Sequence, residues 1–309
     1  MKHYLPRRLL HLVVILLGVS FLTYLLLYLA PGDPAQKKLT AQGVAVSQEV
    51  LDATRQQMGL DRPFLVQYGS WLVGLLRGDF GVSYKDGLPV APRLLSALGY
   101  TAVLALSSLA LSLAVALPLA LVTAVRKNGI MDHLVQFLTF VGNSLPNFLL
   151  SVLLMYFLCI RAKLLPVIAS KSFKGLLLPC LALAIPMCSR FIRQFRVEIL
   201  EQLGKSYVDA ARLRGVRVRY ILICNVLHNA LVPILTVVGL SIGTLFGGSV
   251  VIETLFRWPG LGQLAMGAIT DMDYPLVQGF VILTSGIYVL VNFITDLLYH
   301  WIDPRVGEV

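Results

Sequence analysis

Six apolar stretches, each roughly 20 residues long, constrain the fold of this chain more than any other feature. That length is what an α-helix needs to cross the hydrocarbon core of a bilayer. Of the 309 residues, 57% are hydrophobic and only 14% are charged. The composition excludes an ordinary soluble domain and predicts an all-α integral membrane protein. The six predicted transmembrane helices are 9–29, 100–125, 134–158, 176–195, 230–252 and 277–301.

Prolines and glycines punctuate these stretches. The fourth gives the weakest signal, because Pro179 and Pro186 interrupt it. Membrane helices tolerate proline where neighbouring helices or water satisfy the freed carbonyl groups. In the fifth, Gly239, Gly243 and Gly247 have the four-residue spacing that lets two helices approach closely. We therefore expect a closely packed helical bundle.

The distribution of charge predicts the orientation in the membrane. Segment 190–219 carries eight basic and three acidic residues, and the N-terminus is also basic, so both are expected in the cytoplasm. Six spans return the C-terminus to the same side. Segments 30–99 and 253–275 are balanced or acidic and are expected outside. Segment 159–175 has four basic residues and no acidic one, which argues against this topology, but the larger asymmetry of 190–219 outweighs it.

The basic excess, a net charge of +10, also bears on the partners. We predict no nucleic-acid partner, because the basic residues lie between spans and are not interleaved with exposed aromatic residues. Anionic membrane lipids are the expected partners of such loops. The first 30 residues resemble a signal peptide, but the apolar run is too long, so an uncleaved signal anchor is predicted.

The predicted outer segment contains two helix signals. Residues 46–60 read as an amphipathic helix that starts after Ser47 and stops at Gly59. Residues 63–81 are apolar but too short to span, and Tyr68 and Trp71 would anchor such a helix at the membrane interface. The alternative is an outer loop that packs on the bundle.

Sequence signatures of catalysis are missing from the chain. There is no GxxxxGK[ST] loop for ATP and no HExxH, so we predict no catalytic residue, no bound cofactor and no metal site. The four cysteines form no CxxC pair and are interpreted as small buried hydrophobic residues. They are Cys159, Cys180, Cys188 and Cys224.

A short helix is predicted within the polar stretch 203–219. Ser206 is the candidate N-cap, Asp209 the capping acid three residues later, and Gly215 the C-terminal stop. The small side chains of Ala210 and Ala211 would let a partner approach closely. From the residues alone, the helix could transmit a push between rigid bodies or be a solvated loop helix.

Several motifs resemble those of one family, the permeases of ABC importers. The sequence DAARLRG at 209–215, followed by Leu-Val-Pro at 231–233, is similar to the cytoplasmic loop by which these permeases contact their ATPase, with Asp209 in place of the usual Glu. Motifs along the whole chain resemble the peptide/nickel group of this family. They are GDPA (32–35), MGLDRPFLVQYGSWL (58–72), GDFGVS (78–83), SLPNF (144–148), GGSVVIETLFRWPGLG (247–262), DYPLVQG (273–279) and DPR (303–305).

The resemblance implies a MetI-like permease core with an extracellular amphipathic insertion after the first helix. The corresponding segments are 1–29, the insertion 30–99, and a five-helix core 100–309 with a coupling loop at 196–229. It also implies a bacterial plasma-membrane location, a second permease subunit, two ATPase subunits that bind ATP and Mg, and an extracellular solute-binding protein. The residues that would contact the ATPase are Tyr207, Asp209, Ala210, Ala211, Arg212 and Gly215.

The resemblance leaves the transported solute open. Segment 51–72 and the run around SLPNF look closer to the nickel and metal-chelate branch, whereas di- and oligopeptides are the alternative within the same machinery. An ion-coupled secondary transporter is the alternative of another class, but it would carry intramembrane acids and inverted repeats. Glu253, Arg257 and Trp258 are hypothesised to contact the binding protein or to form an outer gate, and a structural turn at Pro259 is the alternative.

Overall fold

The computed structural model describes residues 4–41, 43, 47–169 and 172–302, with only the backbone of 4–11, 296 and 298–302. The described residues are helical apart from their connections and one isolated bridge between Val82 and Pro89, which confirms the predicted all-α fold. The predicted DPR motif lies outside them. The helices are α1 Tyr4–Leu29, α2 Pro34–Ala41, α3 Gln48–Gln57, α4 Phe64–Leu76, α5 Val90–Val125, α6 Ile130–Ser144, α7 Asn147–Leu154, α8 Phe173–Leu203, α9 Ser206–Leu213, α10 Val218–Tyr220, α11 His228–Phe256, α12 Leu261–Thr270 and α13 Tyr274–Ile302, with π-helical segments at Met155–Arg161 and Ile221–Leu227.

Five of the described helical stretches are long and apolar enough to cross a membrane, and a bent pair provides a sixth. The pair is α6 with Asn147–Arg161, and its two halves meet at an angle of 105°. The predicted stretch 134–158 therefore lies within a sharply bent pair of helices and is not one straight helix. Pro146 disfavours helical backbone at the residue before it, and Leu145 is extended (φ −80°, ψ 128°). The chain turns there and begins a new helix at Asn147.

Helix α8 is longer than the predicted span over 176–195, and its prolines do not interrupt it. It contains Pro179 and Pro186 without a break and continues to Leu203. It is also the most buried of the candidate spans, although its sequence signal was the weakest. The first part of the polar stretch 190–219 is thus the end of a long helix and not a loop.

The chain divides into two compact units, residues 1–101 with 259–289 and residues 102–258 with 290–309. This division follows packing. The predicted segments 1–29, 30–99 and 100–309 were drawn by side of the membrane, which packing does not report, and they stay predictions.

In the first unit, Asp33 holds the start of the predicted outer segment. Its Oδ1 accepts from the backbone N–H of Ala35 at the start of α2, and its Oδ2 lies 2.7 Å from Nη2 of Arg55 on α3. Helix α3 begins after Ser47, whose hydroxyl accepts from the N–H of Val50, and it ends before Gly59 at φ +68°. Both predicted boundary residues of this helix are confirmed.

Helix α4 packs on α1 through aromatic rings. Phe21 and Tyr24 of α1 meet Phe64 and Tyr68 of α4 edge to face, at centroid separations between 5.4 and 5.8 Å. Such pairs stabilise beyond the area they bury. The predicted short helix after Pro63 is confirmed as a helix on α1, while its depth in the membrane stays a prediction.

The second unit holds its helices together through small residues. Ser112 of α5 donates to the carbonyl oxygen of Ala184 on α8 at 3.1 Å. On α11, Gly239 lies directly against Thr295 of α13, where a Cβ would collide with the threonine side chain. The predicted close approach at Gly239 is confirmed. At Gly247 nothing lies within 4 Å of a Cβ, so no other described helix of this chain approaches closely there.

Candidate functional site

Helix α9 occupies the predicted ATPase-coupling stretch. It runs from Ser206 to Leu213, with Lys205 in the N-cap position and no side-chain capping hydrogen bond. Ser206 is therefore the first helical residue, and its predicted capping role was wrong. Asp209 makes no capping contact either; its carboxylate lies 3.8 Å from the guanidinium of Arg212, one turn further along.

The C-terminal end of α9 is fixed by backbone geometry at Gly215. This residue has φ +74°, a left-handed conformation that glycine adopts at little cost. Its N–H donates to the carbonyl of Arg212 at 2.9 Å, and the N–H of Val216 donates to that of Ala211 at 3.1 Å. These two bonds form a Schellman motif, so the predicted stop at Gly215 is confirmed.

One side of α9 anchors the helix and the rest is exposed. Val208 is fully buried, and the hydroxyl of Tyr207 donates to Oε1 of Gln202 near the end of α8 at 3.2 Å. Helix α9 also packs on the π-helical segment Ile221–Leu227. Asp209 and Ala210 are exposed, Ala211 is half-buried, and Leu213 is 90% exposed. Leu213 is the most exposed large hydrophobic side chain among the described residues, so it is available to a partner surface.

An ion pair that sequence reasoning missed fixes the helix leading to α9. Arg196 of α8 donates to both carboxylate oxygens of Asp132 on α6, from Nε at 2.9 Å and from Nη2 at 2.7 Å. The Asp132 side chain has 0% exposure and also accepts from Gln136 and from the backbone N–H of Asn128. The two residues are 64 positions apart, and no local pattern pairs them.

The three candidate outer-gate residues differ in their exposure to solvent. Glu253 is buried and accepts from the hydroxyl of Ser249 at 3.1 Å, and Trp258 is only 3% exposed. Arg257 between them is exposed and has left-handed backbone (φ 54°, ψ 37°) at the end of α11. Contact with another protein is thus open to Arg257, whereas Glu253 and Trp258 line the interior of the fold. The gate role itself stays a prediction.

A polar cavity of about 250 Å³ lies within the second unit, between α7, α8 and α11. Its polar lining comes from Asn147, Arg190, Ser241 and Thr244, one or two from each helix. The sequence reading had used Arg190 only as a topology marker. The structure shows that Arg190 lines the same cavity as Asn147, Ser241 and Thr244.

The cysteines only partly match their interpretation. Cys159 and Cys180 are buried, as expected, and Cys188 is half-buried. Cys224 is exposed, so the interpretation as a buried residue was wrong for it. It lies on the apolar π-helical segment Ile221–Leu227, where an apolar sequence alone does not show which side chains face outward.

These features define a multi-pass helical membrane protein with a short exposed helix outside its spans. Comparison with known proteins gives the class. The model of the family described as "Binding-protein-dependent transport system inner membrane component" matches residues 116–308, and the model of its N-terminal part matches residues 1–105. The chain therefore belongs to this family, the permease subunits of ABC importers.

Similar proteins carry both peptide and nickel names. The chain is 36% identical to the probable D,D-dipeptide transport system permease protein DdpB of Escherichia coli (strain K12), over 96% of this chain and 95% of that protein. It is equally 36% identical to the nickel import system permease protein NikB of Staphylococcus aureus (strain bovine RF122 / ET3-1), over 96% and 90%. A probable peptide ABC transporter permease, y4tP of Sinorhizobium fredii (strain NBRC 101917 / NGR234), gives 36% over 98% of both chains.

A solved structure confirms the MetI-like fold. A chain of the inward-facing MetNI methionine ABC transporter superimposes with a TM-score of 0.56 at 19% identity, covering 68% of this chain and 96% of that one. The match reports architecture alone. Together with the family, it makes this chain a transport component of an ABC importer system and not the ATPase.

Proposed function

We propose that this chain forms one half of a translocation path and that α9 docks into a groove of an ATP-hydrolysing subunit. The observation that carries the proposal is Leu213. It is 90% exposed at the end of a short helix whose opposite side is anchored by Val208 and Tyr207. Burial of such a leucine stabilises a complex by about 1.5–3 kcal/mol, so an ATPase groove would supply the missing cover.

The mechanical requirement on α9 is stiffness, because a push is transmitted only between parts that do not yield. The helix is closed at its C-terminal end by the hydrogen bonds around Gly215. At its N-terminal side it follows α8 after a turn at Gly204, and Arg196 ties α8 to α6. Motion of α9 would therefore pass into two helices at once. The exposed Arg212 and Arg214 would complement acidic groups on the ATPase.

The remaining subunits follow from the same proposal. ATP and Mg would be bound by two ATPase subunits, the second half of the path would come from a different permease chain, and a solute-binding protein would deliver the solute outside. Positive charge around α9 supports a cytoplasmic location for it and for both termini, in the plasma membrane of a bacterium. The exposed Arg257 is the candidate contact for the binding protein.

The solute is proposed at the level of a class. Nickel, or a nickel chelate, was the preference from sequence, and di- or oligopeptides were the alternative. Relatives named for nickel and for peptides match with the same 36% identity, so this comparison does not separate the two. Because the chain belongs to the family of ABC importer permeases, the alternative of an ion-coupled secondary transporter is excluded.

The docking proposal is tested by co-purification of the ATPase with a tagged permease. We expect Leu213→Asp and Ala211→Glu to reduce the recovered ATPase at least fivefold while the permease remains in the membrane at wild-type amount. Leu164→Asp is the matched control, because Leu164 is also well exposed (66%) but lies in the predicted outer loop. Wild-type recovery with both α9 variants, or equal loss with Leu164→Asp, would contradict docking through α9.

A further inference from the structure

The polar cavity between α7, α8 and α11 is lined by one charged side chain, that of Arg190 on α8. Arg190 lies 17 residues after the start of α8, about 26 Å along the helix axis, and therefore towards the predicted cytoplasmic end of a candidate span. Charged side chains in spans are rare, and they mark binding sites or transport paths. Among the residues that the structure describes, no acidic side chain forms an ion pair with Arg190.

The other lining groups suit a negatively charged guest. Asn147 brings a side-chain amide, whose N–H groups can donate to an anion. Asn147 is also the first residue of α7, whose N-terminus has Pro146 in the cap position and no side-chain cap. The first-turn N–H groups of such a helix carry partial positive charge and favour an anion. Arginine is the residue whose geometry matches a carboxylate, because its N–H groups donate in pairs.

The floor of the cavity adds a limit on size. Leu183 and Met187 of α8 are buried beside it, and the cavity volume of about 250 Å³ accommodates a small molecule or one end of a longer one. A bare divalent cation would meet a guanidinium and a helix N-terminus, both of which repel it. A solute with a carboxylate would be attracted by the same groups.

We propose that this cavity is an anion subsite on the translocation path and that the solute presents a carboxylate to Arg190. The inference rests on the proposed importer function and narrows it. A short peptide with a free C-terminus and a nickel ion held by a carboxylate chelator both fit, whereas free Ni²⁺ does not. The subsite receives the carboxylate after release from the binding protein, so it acts on passage and not on capture.

The experiment uses the complete importer in proteoliposomes with its binding protein outside and ATP inside. Alanyl-alanine, Ni²⁺ with citrate, and Ni²⁺ alone are the probes. The variants are Arg190→Gln, Arg190→Lys and the control Arg193→Gln, which changes a second exposed arginine of α8 outside the lining of this cavity. Each uses the same binding protein, so differences between variants belong to the permease. Melting temperatures of the purified variants report folding.

We expect uptake of alanyl-alanine or nickel citrate, and none of Ni²⁺ alone. Arg190→Gln should lower that uptake at least tenfold at an unchanged melting temperature, Arg190→Lys should keep it within about threefold, and Arg193→Gln should match the wild type.

Wild-type uptake by Arg190→Gln, or uptake of Ni²⁺ alone, overturns the anion subsite while the importer function stands. Equal loss in Arg190→Gln and Arg190→Lys with a lower melting temperature assigns Arg190 a structural role and also overturns it. Absence of ATP-dependent uptake for every probe in the wild type contradicts the importer function itself.

Discussion

Arg196 and Asp132 join two helices by a two-pronged ion pair, with Nε–Oδ1 and Nη2–Oδ2 distances of 2.9 and 2.7 Å. The carboxylate is fully buried and has all its acceptor sites occupied, by Arg196, Gln136 and the N–H of Asn128. A buried charge is tolerated only when it is paired and hydrogen-bonded in this way. The pair therefore holds the start of α6 against the part of α8 that leads to α9.

Breaking this pair should destabilise the protein more than breaking the exposed ion pair on α9. We expect Arg196→Gln to lower the free energy of unfolding by about 3 kcal/mol, because it leaves the Asp132 carboxylate buried without a counter-charge. Asp132→Asn in the same background should recover part of the loss. Arg212→Gln is the control, since the Arg212–Asp209 pair is exposed and 3.8 Å long, and it should change stability by less than about 1 kcal/mol. Thermal denaturation in detergent measures all four; equal effects of Arg196→Gln and Arg212→Gln would refute the assignment.

The seam between α11 and α13 makes a prediction about two glycines on one helix. Gly239→Ala should destabilise by about 1–3 kcal/mol, because the added methyl group would overlap the side chain of Thr295. Gly247→Ala should be neutral or slightly stabilising, since space is free there and alanine is the better helix former. Residual folded protein after a heat step, measured by size-exclusion chromatography, compares the two. A larger loss with Gly247→Ala would show that the seam lies elsewhere.

Asp273 at the start of α13 should stabilise the first unit more than its neighbour Asp271. Asp273 is buried and accepts from the hydroxyl of Ser83 and from the N–H of Tyr84, so Asp273→Ala leaves two donors without a partner and should cost about 1–3 kcal/mol. Lys85→Ala removes only a surface ion pair with Asp271, worth less than about 1 kcal/mol. Protease sensitivity of the 82–89 segment compares the variants, and equal sensitivity would contradict the ranking.

The pair of Lys85 and Asp271 also predicts a dependence on pH. Its hydrogen bond to Asp271, with the nearby negative charge, raises the pKa of Lys85 above the ordinary 10.5. A raised lysine pKa means that the stabilisation is fully present below pH 10.5 and is lost as the pH rises through the raised value. The effect of Lys85→Ala should therefore be constant between about pH 7 and 9. A difference from wild type that disappears within this range, in the same protease assay, would contradict the pairing.

A substitution of Arg257 can separate the effect of backbone strain on stability from the effect of its side chain on uptake. Its left-handed conformation costs a side-chain-bearing residue about 1–2 kcal/mol, so Arg257→Gly should leave stability unchanged or slightly raised. Uptake should nevertheless fall several-fold if the side chain contacts the binding protein. Trp258→Ala is a poorer test, because truncation of a side chain with 3% exposure should cost about 3 kcal/mol or more. Wild-type uptake by Arg257→Gly at normal expression would remove Arg257 from the binding-protein contact.

Local signals allowed much of the fold to be predicted from sequence. Apolar length predicted the spans, and Gly59 and Gly215 marked helix ends because their left-handed backbone is a local property. Pro146 lies within a stretch that was predicted as one span, yet it separates α6 from α7 by a turn of 105°. Pro186 lies inside a continuous helix. The same residue type gave opposite outcomes because packing around the helix, which sequence does not report, decides between a kink and a break.

The candidate site could be predicted from sequence only at the DAARLRG motif, residues 209–215. The motif placed α9, but its N-cap was misassigned by one position, to Ser206 in place of Lys205, and helix boundaries are the least certain part of such a prediction. The pairing of Asp132 with Arg196 spans 64 positions and could not be read from spacing. The exposure of Leu213 was also hidden, since its apolar side chain suggests burial when only the sequence is considered.

The most direct test of the account is cross-linking from α9 to the ATPase. In a Cys224→Ala background, which removes the exposed native cysteine, Leu213→Cys should form a cross-link with a cysteine in the ATPase groove that changes in yield when ATP binds. Leu164→Cys, equally open but predicted on the other side of the membrane, should give none. A strong cross-link from Leu164→Cys, or none from Leu213→Cys in an importer active in uptake, would contradict the claim that α9 couples this permease to its motor.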